Sequence, residues 1–316
     1  MKAVSAAGDE AHAAARRALA ARQHYLVRRA QAVQAVRAFF CARDVLEVET
    51  PVRMRAPLPE RYIDAVPSGD AFLATSPEPH MKRLLAAGYQ RIFQISKCFR
   101  HGERGRLHHP EFTMLEWYRA GADCAVLIDD VRALLQHVCR AVHGTEQFVF
   151  RGVKIALDAP WEMLSVDEAF ARYAGRALED TPDQAWFEET LVAKVEPQLG
   201  REAPAVLHGY PAAFCPMART LAGAPHRAER CEVYIAGIEL ANGCAEETDA
   251  ARQAAALRAE QALRAARGAE VYPWPDDFIA ALPHLPPCAG MALGIDRLVM
   301  LLCDAACVAD VIAFCE

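Results

Sequence analysis

The chain has 316 residues, of which 53% are hydrophobic and 24% charged, and its formal net charge is −6. That length holds one large domain or two modest ones, with a core that needs no disulfide or metal staple. The mean hydropathy of +0.01 and pI near 6.0 exclude a disordered chain and a domain built mainly to hold nucleic acid.

No apolar run reaches the ~20 residues of a membrane span. The N-terminal stretch mixes Asp9 and Glu10 with arginines and alanines and has no apolar core, so it does not read as a secretory signal. The chain has eleven cysteines, an odd number, and no C-x-x-C spacing. Buried thiols in a reducing cytoplasm are the expectation.

In chain order, residues 10–42 read as one long helix, with Leu19, Leu26, Val33, Val36, Phe39 and Phe40 near helical spacing. Residues 1–40 carry a net +5, which leaves −11 on the other 276. Val45 to Thr50 alternates like a strand and stops at Pro51. A loop rich in proline and charge runs from Val52 to about Ala65. Strands are expected at 71–75, 92–99 and 112–118, with helices at 80–87 and 123–143. Residues 160–200 read as a weaker, acidic, α-rich insertion. A second β block covers 231–244, a charged helix 248–268, and a strand leads into a helix over 289–307. Strands interleaved with helices, but without regular β-α-β spacing, favour an α+β fold around an antiparallel sheet.

There is no glycine-rich phosphate loop, so phosphates must be held by side chains. The stretch Arg100 to Tyr118 supplies them. A tight basic loop leads into a strand on which Phe112, Met114, Glu116 and Tyr118 share one face by the period of two. An aromatic ring, a carboxylate and a phenol on one face suit an adenine beside a cationic ligand, with polyphosphate under the basic loop. His101, His108 and His109 near Glu103 and Glu111 lack a zinc ligand pattern. In the second stretch, 232–246, Glu232 and Glu239 flank a turn at Gly237. Facing carboxylates repel unless a cation sits between them, which points to Mg²⁺ with phosphate. The third stretch, Gly290 to Leu301, ends a strand in glycines and opens a helix carrying Arg297.

Together these stretches resemble the class II aminoacyl-tRNA synthetase catalytic domain, in its lysyl-tRNA synthetase branch. Phe39–Pro51 resembles that class's motif 1, Arg100–Tyr118 its motif 2 and Gly290–Leu301 its motif 3. Ser76 to Leu84, Tyr210-Pro211-Ala212 and Gly237 to Glu246 match further segments of the lysine branch. Within it, the Leu115-Glu116-Trp117-Tyr118 ending, and the alanine at 241 where tRNA-charging relatives usually carry glycine, resemble the stand-alone elongation factor P lysine ligases.

The resemblance implies an AMP-forming ligase. Such an enzyme activates lysine or (R)-β-lysine with ATP and Mg²⁺ and transfers it to a lysine side chain of elongation factor P. By position, Arg100 and Arg297 are the catalytic arginines, and Glu103, His108 and Phe112 join them in binding ATP. Arg106 is placed near the terminal phosphates. Glu78, Glu116, Tyr118, Asn242 and Glu246 bind the amino acid, and Glu232 and Glu239 the metal. The resemblance also implies a cytoplasmic homodimer formed through motif 1, without stable tRNA binding and without a membrane.

Residues 1–30 are expected as a helical extension and 31–316 as the catalytic domain, with no anticodon-binding domain. A tRNA-charging enzyme would place such a domain, of about 100 residues, in front. A silent paralogue acting as a binding module is the remaining alternative. The chain departs from the family pattern at Gly102, His109, Cys244-Ala245 and 213–217.

Overall fold

In the computed structural model, which describes residues 3–315, the leading helical pattern divides in two. Helix α1 (Ala3–Ala21) gives way at Arg22 to α2 (Gln23–Cys41). The single helix expected over 10–42 is thus two, and a boundary at residue 30 falls inside α2. The reason is that the Arg22 and Arg29 guanidiniums turn back to the C-terminal carbonyls of Ile312, Ala313 and Val311. Arg29 also reaches Thr113 and Asp296. The first turns of α2 are therefore held by the body of the protein.

The expected strand over 45–50 shrinks to β1 (Leu46–Glu47). The proline-rich loop contains β2 (Arg53–Met54) and leads to β3 (Pro67–Ser68) and β4 (Ala71–Leu73), which form a small sheet. Helix α3 (Glu78–Ala86) precedes the long hairpin of β5 (Arg91–Phe99) and β6 (Glu111–Ala120).

Helix α4 (Cys124–His143) starts where the Asp123 carboxylate accepts the Val126 N–H and ends at Gly144 with φ 77°. A hairpin absent from the sequence reading follows, β7 (Gln147–Phe150) and β8 (Val153–Ala156). Its two-residue turn, Arg151-Gly152, has positive φ at both positions, the geometry that matches strand twist.

The region read as an α-rich insertion begins with a strand, β9 (Glu162–Ser165). Short helices α5 (Val166–Ala169) and α6 (Gln184–Thr190) follow. Next come β10 (Ala205–His208), the pair β11 (Thr220–Leu221) and β12 (Ala224–Ala228), and the hairpin β13 (Arg230–Ile235) and β14 (Ile238–Ala245). Helices α7 (Ala250–Ala266) and α8 (Asp276–Ala281), strand β15 (Cys288–Gly294) and helix α9 (Ile295–Leu302) complete the chain.

The main sheet has eight strands in the order β1-β5-β6-β15-β14-β13-β10-β9. Its interior pairings are antiparallel, and only the two edge pairs, β1/β5 and β9/β10, are parallel. One face is covered by α2, α4 and α9, and Phe93, Leu115, Trp117, Met291 and Leu293 pack into that core. Phe40 of α2 stacks on Phe93 with ring centroids 4.6 Å apart and meets Trp117 at 5.5 Å. Each such pair contributes about 1 kcal/mol beyond its area burial, which holds the motif 1 helix to the sheet. The opposite face carries Phe112, Glu116 and Tyr118 on β6 and Gly290, Ala292 and Gly294 on β15, and it forms the floor of a cavity.

Candidate active site

The cavity has a volume of about 460 Å³. Alternation on β6 turns Phe112, Met114, Glu116 and Tyr118 into it, while Leu115 and Trp117 face the core. Next door, β15 presents glycine and alanine, so the floor stays low there. A Cβ built on Gly290 would stand 2.1 Å from Cε1 of the Tyr118 ring. Only glycine leaves that phenol its place.

At one end of the cavity, Arg100 lies 5.1 Å from the Phe112 ring centroid and 3.7 Å from Glu103. Its Nε is buried and has no partner among the described residues. An unpaired guanidinium N–H inside a cleft suits an anionic oxygen. Arg297, in the first turn of α9, donates to the Glu239 carbonyl at 2.7 Å and to its carboxylate at 3.3 Å. It also contacts His108 Nε2 at 2.7 Å. Partial desolvation and the adjacent Arg297 hold the His108 pKa below its ordinary value, so the imidazole stays neutral and Nε2 accepts. Arg106 is not part of the cavity lining, because its side chain faces Arg151 and Cys307.

At the other end lies a buried acidic chamber. Glu116 is 2% exposed, and it accepts from Ser76 Oγ at 2.6 Å and from the Tyr118 hydroxyl at 3.1 Å. Burial, reinforced by the neighbouring Glu78, pushes its pKa up to about 8. Glu246 is equally enclosed, and burial pushes it up to about 7 against the pull of Lys82.

Lys82 was not assigned a role from the sequence. Its Nζ sits 2.6 Å from Glu78 Oε1 and 2.5 Å from Glu246 Oε2. The one available signal was a lysine four residues after Glu78, between Met81 and Leu85 on the buried face of α3. Such a chamber, rich in carboxylates and roofed by a phenol, recognises ammonium groups.

Glu232 and Glu239 do not stand directly opposite each other. A bulge between Val233 and Tyr234 pairs Glu232 with Asn242 and Tyr234 with Glu239. The Asn242 amide joins them, donating to Glu232 at 3.0 Å and to Glu239 at 3.5 Å. The charge that sequence reasoning asked for is supplied here by arginines. Arg230 lies 2.5 Å from Glu232, and Arg297 lies beside Glu239. Glu232 also accepts from Tyr234 at 2.6 Å and from Tyr210, and it is not part of the lining.

Among the described residues no group of three or more His, Cys, Asp or Glu side chains could hold a metal ion. Mg²⁺ takes one or two protein acids and completes its shell with phosphate and water. Glu239 is on the cavity lining for it, whereas Glu232 would have to exchange its Arg230 and Asn242 contacts for the ion.

The sequence matches the family model for tRNA synthetases class II (D, K and N) over residues 12–316. The chain belongs to that class II synthetase family. Similar proteins named elongation factor P--(R)-beta-lysine ligase come from Pectobacterium carotovorum, Salmonella gallinarum and Yersinia enterocolitica. They are 42%, 40% and 40% identical, and in each comparison the match covers 92% of this chain and 94% of the relative. The class II synthetase fold accounts for the antiparallel sheet, and the cavity lies between the sheet face opposite α2, α4 and α9 and residues of α3 and α7. No helix among the described residues is long and apolar enough to cross a membrane.

Proposed function

We propose that this chain is an ATP-dependent, AMP-forming ligase that activates lysine or (R)-β-lysine. It then passes the aminoacyl group to a lysine side chain of elongation factor P. The observation that carries the reading is one cavity that joins Arg297 and Arg100, whose Nε is unpartnered, at one end to the buried carboxylates of Glu116 and Glu246 at the other. ATP side by side with an amino acid that carries two ammonium groups matches that polarity.

In the first step a carboxylate oxygen of the amino acid attacks the α-phosphorus of ATP. A C–O–P anhydride forms and pyrophosphate leaves. No covalent enzyme nucleophile is needed, since positioning and neutralisation supply the catalysis. Arg100 meets the α-phosphate, Phe112 and Arg297 sandwich the adenine, and Glu103 and His108 border the phosphates. Glu232 and Glu239 would hold Mg²⁺, which supplies charge neutralisation to the phosphates. Glu116 and Tyr118, with Glu246, take the distal ammonium, and Glu78 and Asn242 take the second amine and the carboxylate. A neutral side chain in that chamber would leave buried carboxylates unpaired, at a cost of about 1–3 kcal/mol per lost group.

The enzyme acts in the cytoplasm, without stable tRNA binding, and as a homodimer through the motif 1 region. Exposed Leu46 on the edge strand β1 and exposed Val52 beyond it support that surface. The test is intact-protein mass spectrometry of elongation factor P after incubation with enzyme, ATP, Mg²⁺ and either α- or β-lysine. A mass increase of one aminoacyl group is expected. Charging of lysine tRNA with unmodified elongation factor P would overturn the reading.

A further inference from the structure

Glu60 has no role in the scheme above, yet its side chain lines the cavity. It sits in the proline-rich loop between β2 and β3, whose backbone is clamped from α7. Arg264, 0% exposed, donates to the Glu60 carbonyl at 2.8 Å and to the Ile63 carbonyl at 2.9 Å. The next amide, Arg61 N–H, donates to Glu260 Oε2 at 3.0 Å. With its own carbonyl and the following N–H both held, the direction of the Glu60 side chain is set by rigid backbone.

The nearby cations are engaged elsewhere. Arg61 pairs with Glu260 at 2.8 Å, Arg264 with Asp64 at 2.8 Å, and Arg230 with Glu232 at 2.5 Å. Arg100 leans on Phe112 and Glu103. The Glu60 carboxylate accepts no hydrogen bond from any described residue, and the cation that acts on it most, Arg100, is shared with Glu103 and Phe112.

The charged groups acting on it are Arg100 and Arg230, which favour the ionised form, and Glu78 and Glu260, which oppose it. Burial is the main cause that pushes its pKa up to about 7. Depth separates it from the ammonium chamber. Glu116 and Glu246 are 2% and 3% exposed, whereas Glu60, although largely desolvated, keeps partial exposure to solvent. The deep acids suit the small substrate that enters first. The rim acid suits a cation that arrives afterwards from outside.

We infer that Glu60 receives the acceptor amine and removes its proton for the transfer step, an assignment that rests on the ligase reading above. The ammonium of the acceptor lysine first pairs with the carboxylate and gives up one proton to it. The free amine then attacks the carbonyl carbon of the adenylate. A C–N bond forms, the C–O bond to phosphate breaks, and AMP leaves with the electron pair. The second amine proton is lost to solvent, and Glu60 returns its own proton to water. A carboxylate that titrates near the working pH suits this task, because it is ionised when the amine arrives and basic enough to matter.

The experiment measures two rates on Glu60→Gln, Glu60→Asp and unsubstituted enzyme. One is lysine-dependent ATP–pyrophosphate exchange, which reports adenylation. The other is single-turnover transfer to elongation factor P. The ratio of transfer to exchange should fall roughly 100-fold in E60Q, with E60D recovering part of it. Transfer by the unsubstituted enzyme should level off above about pH 7, whereas in E60Q it should keep rising toward the pKa of a free lysine amine, about 10.4. Hydroxylamine is already neutral near pH 7, so its trapping of the adenylate should fall much less than transfer does.

An equal fall in both rates, or a raised KM for lysine in the exchange reaction, would overturn the assignment in favour of a structural or substrate-amine role. An unchanged ratio would overturn it outright. Absence of lysine-dependent exchange in the unsubstituted enzyme would instead overturn the ligase reading itself.

Discussion

Lys82 Nζ lies 2.5 Å from Glu246 Oε2, and both side chains are 2% exposed. The same ammonium reaches Glu78 across one helical turn, so a single buried cation balances two acids that border the substrate chamber. This is how a pocket of carboxylates can exist before any ammonium ligand enters. Removing Lys82 leaves those charges uncompensated in a low-dielectric site.

Lys82→Met should therefore destabilise the protein by about 3 kcal/mol. Urea midpoints near neutral pH check this. Glu246 titrates near 7, so the penalty should shrink in acid as that carboxyl takes up a proton. The double substitution K82M/E246Q should recover most of the loss. A midpoint unchanged in K82M would show that the pair contributes nothing.

The sign of the pH response follows from Glu116. Its pKa in the folded protein is about 8, above the ordinary 4.5, because burial disfavours the charged form. The folded state thus binds more protons than the unfolded chain between those values. That contribution lowers stability as pH rises from about 4.5 to about 8. Glu116→Gln should melt higher relative to the unsubstituted protein as pH climbs through this window, and the difference should level off above about 8. Lysine binding needs the ionised acid, so it should tighten over the same range and release protons, which calorimetry in two buffers would detect. A pH-independent difference between the two melting curves would contradict the assignment.

Gly290→Ala places a methyl 2.1 Å from a ring carbon of Tyr118, which is itself only 4% exposed. The ring cannot swing away without opening the chamber. The substitution should cost about 1–3 kcal/mol of stability and raise the KM for lysine more than that for ATP, since Phe112 lies further along β6. Equal effects on both substrates in exchange assays would argue for a general distortion of the sheet.

Arg29 in α2 makes a 2.6 Å ion pair with Asp296, whose other oxygen accepts the Thr113 N–H at 2.8 Å. Arg29 also donates to Thr113 Oγ1 at 2.8 Å. One guanidinium so joins the N-terminal helix to the strand that carries Phe112 and to the helix that carries Arg297. Arg29→Ala should lower stability by about 3 kcal/mol, the cost of leaving a buried partner charge unpaired. It should also weaken ATP binding, although it lies outside the cavity. A thermal midpoint and nucleotide affinity both equal to those of the unsubstituted protein would rule this out.

The sequence by itself determined the pieces that depend on local period and local caps. Alternation along β6 shows which of its side chains share a face, and the structure puts those four in one cavity. The helix expected over 123–143 is α4, within one residue at its start. The three motif stretches, far apart in the chain, were recognisable because each carries its residue types at fixed short spacing.

Tertiary structure alone decided the charge partners. Nothing in the spacing of Glu246 says that Lys82 stands behind it, and nothing near Glu60 says that α7 holds its backbone while the local arginines turn away. Spacing about Gly237 lets Glu232 and Glu239 meet across strands, whereas the bulge after Val233 sets them out of register around Asn242. Likewise the helical pattern over 10–42 could not show that Arg22 and Arg29 are drawn to the C-terminal segment and to β6. The physical reason is common to all four. Periodicity reports which face of an element is apolar, whereas the neutralisation of a buried charge depends on which remote segment the fold brings within 3 Å of it.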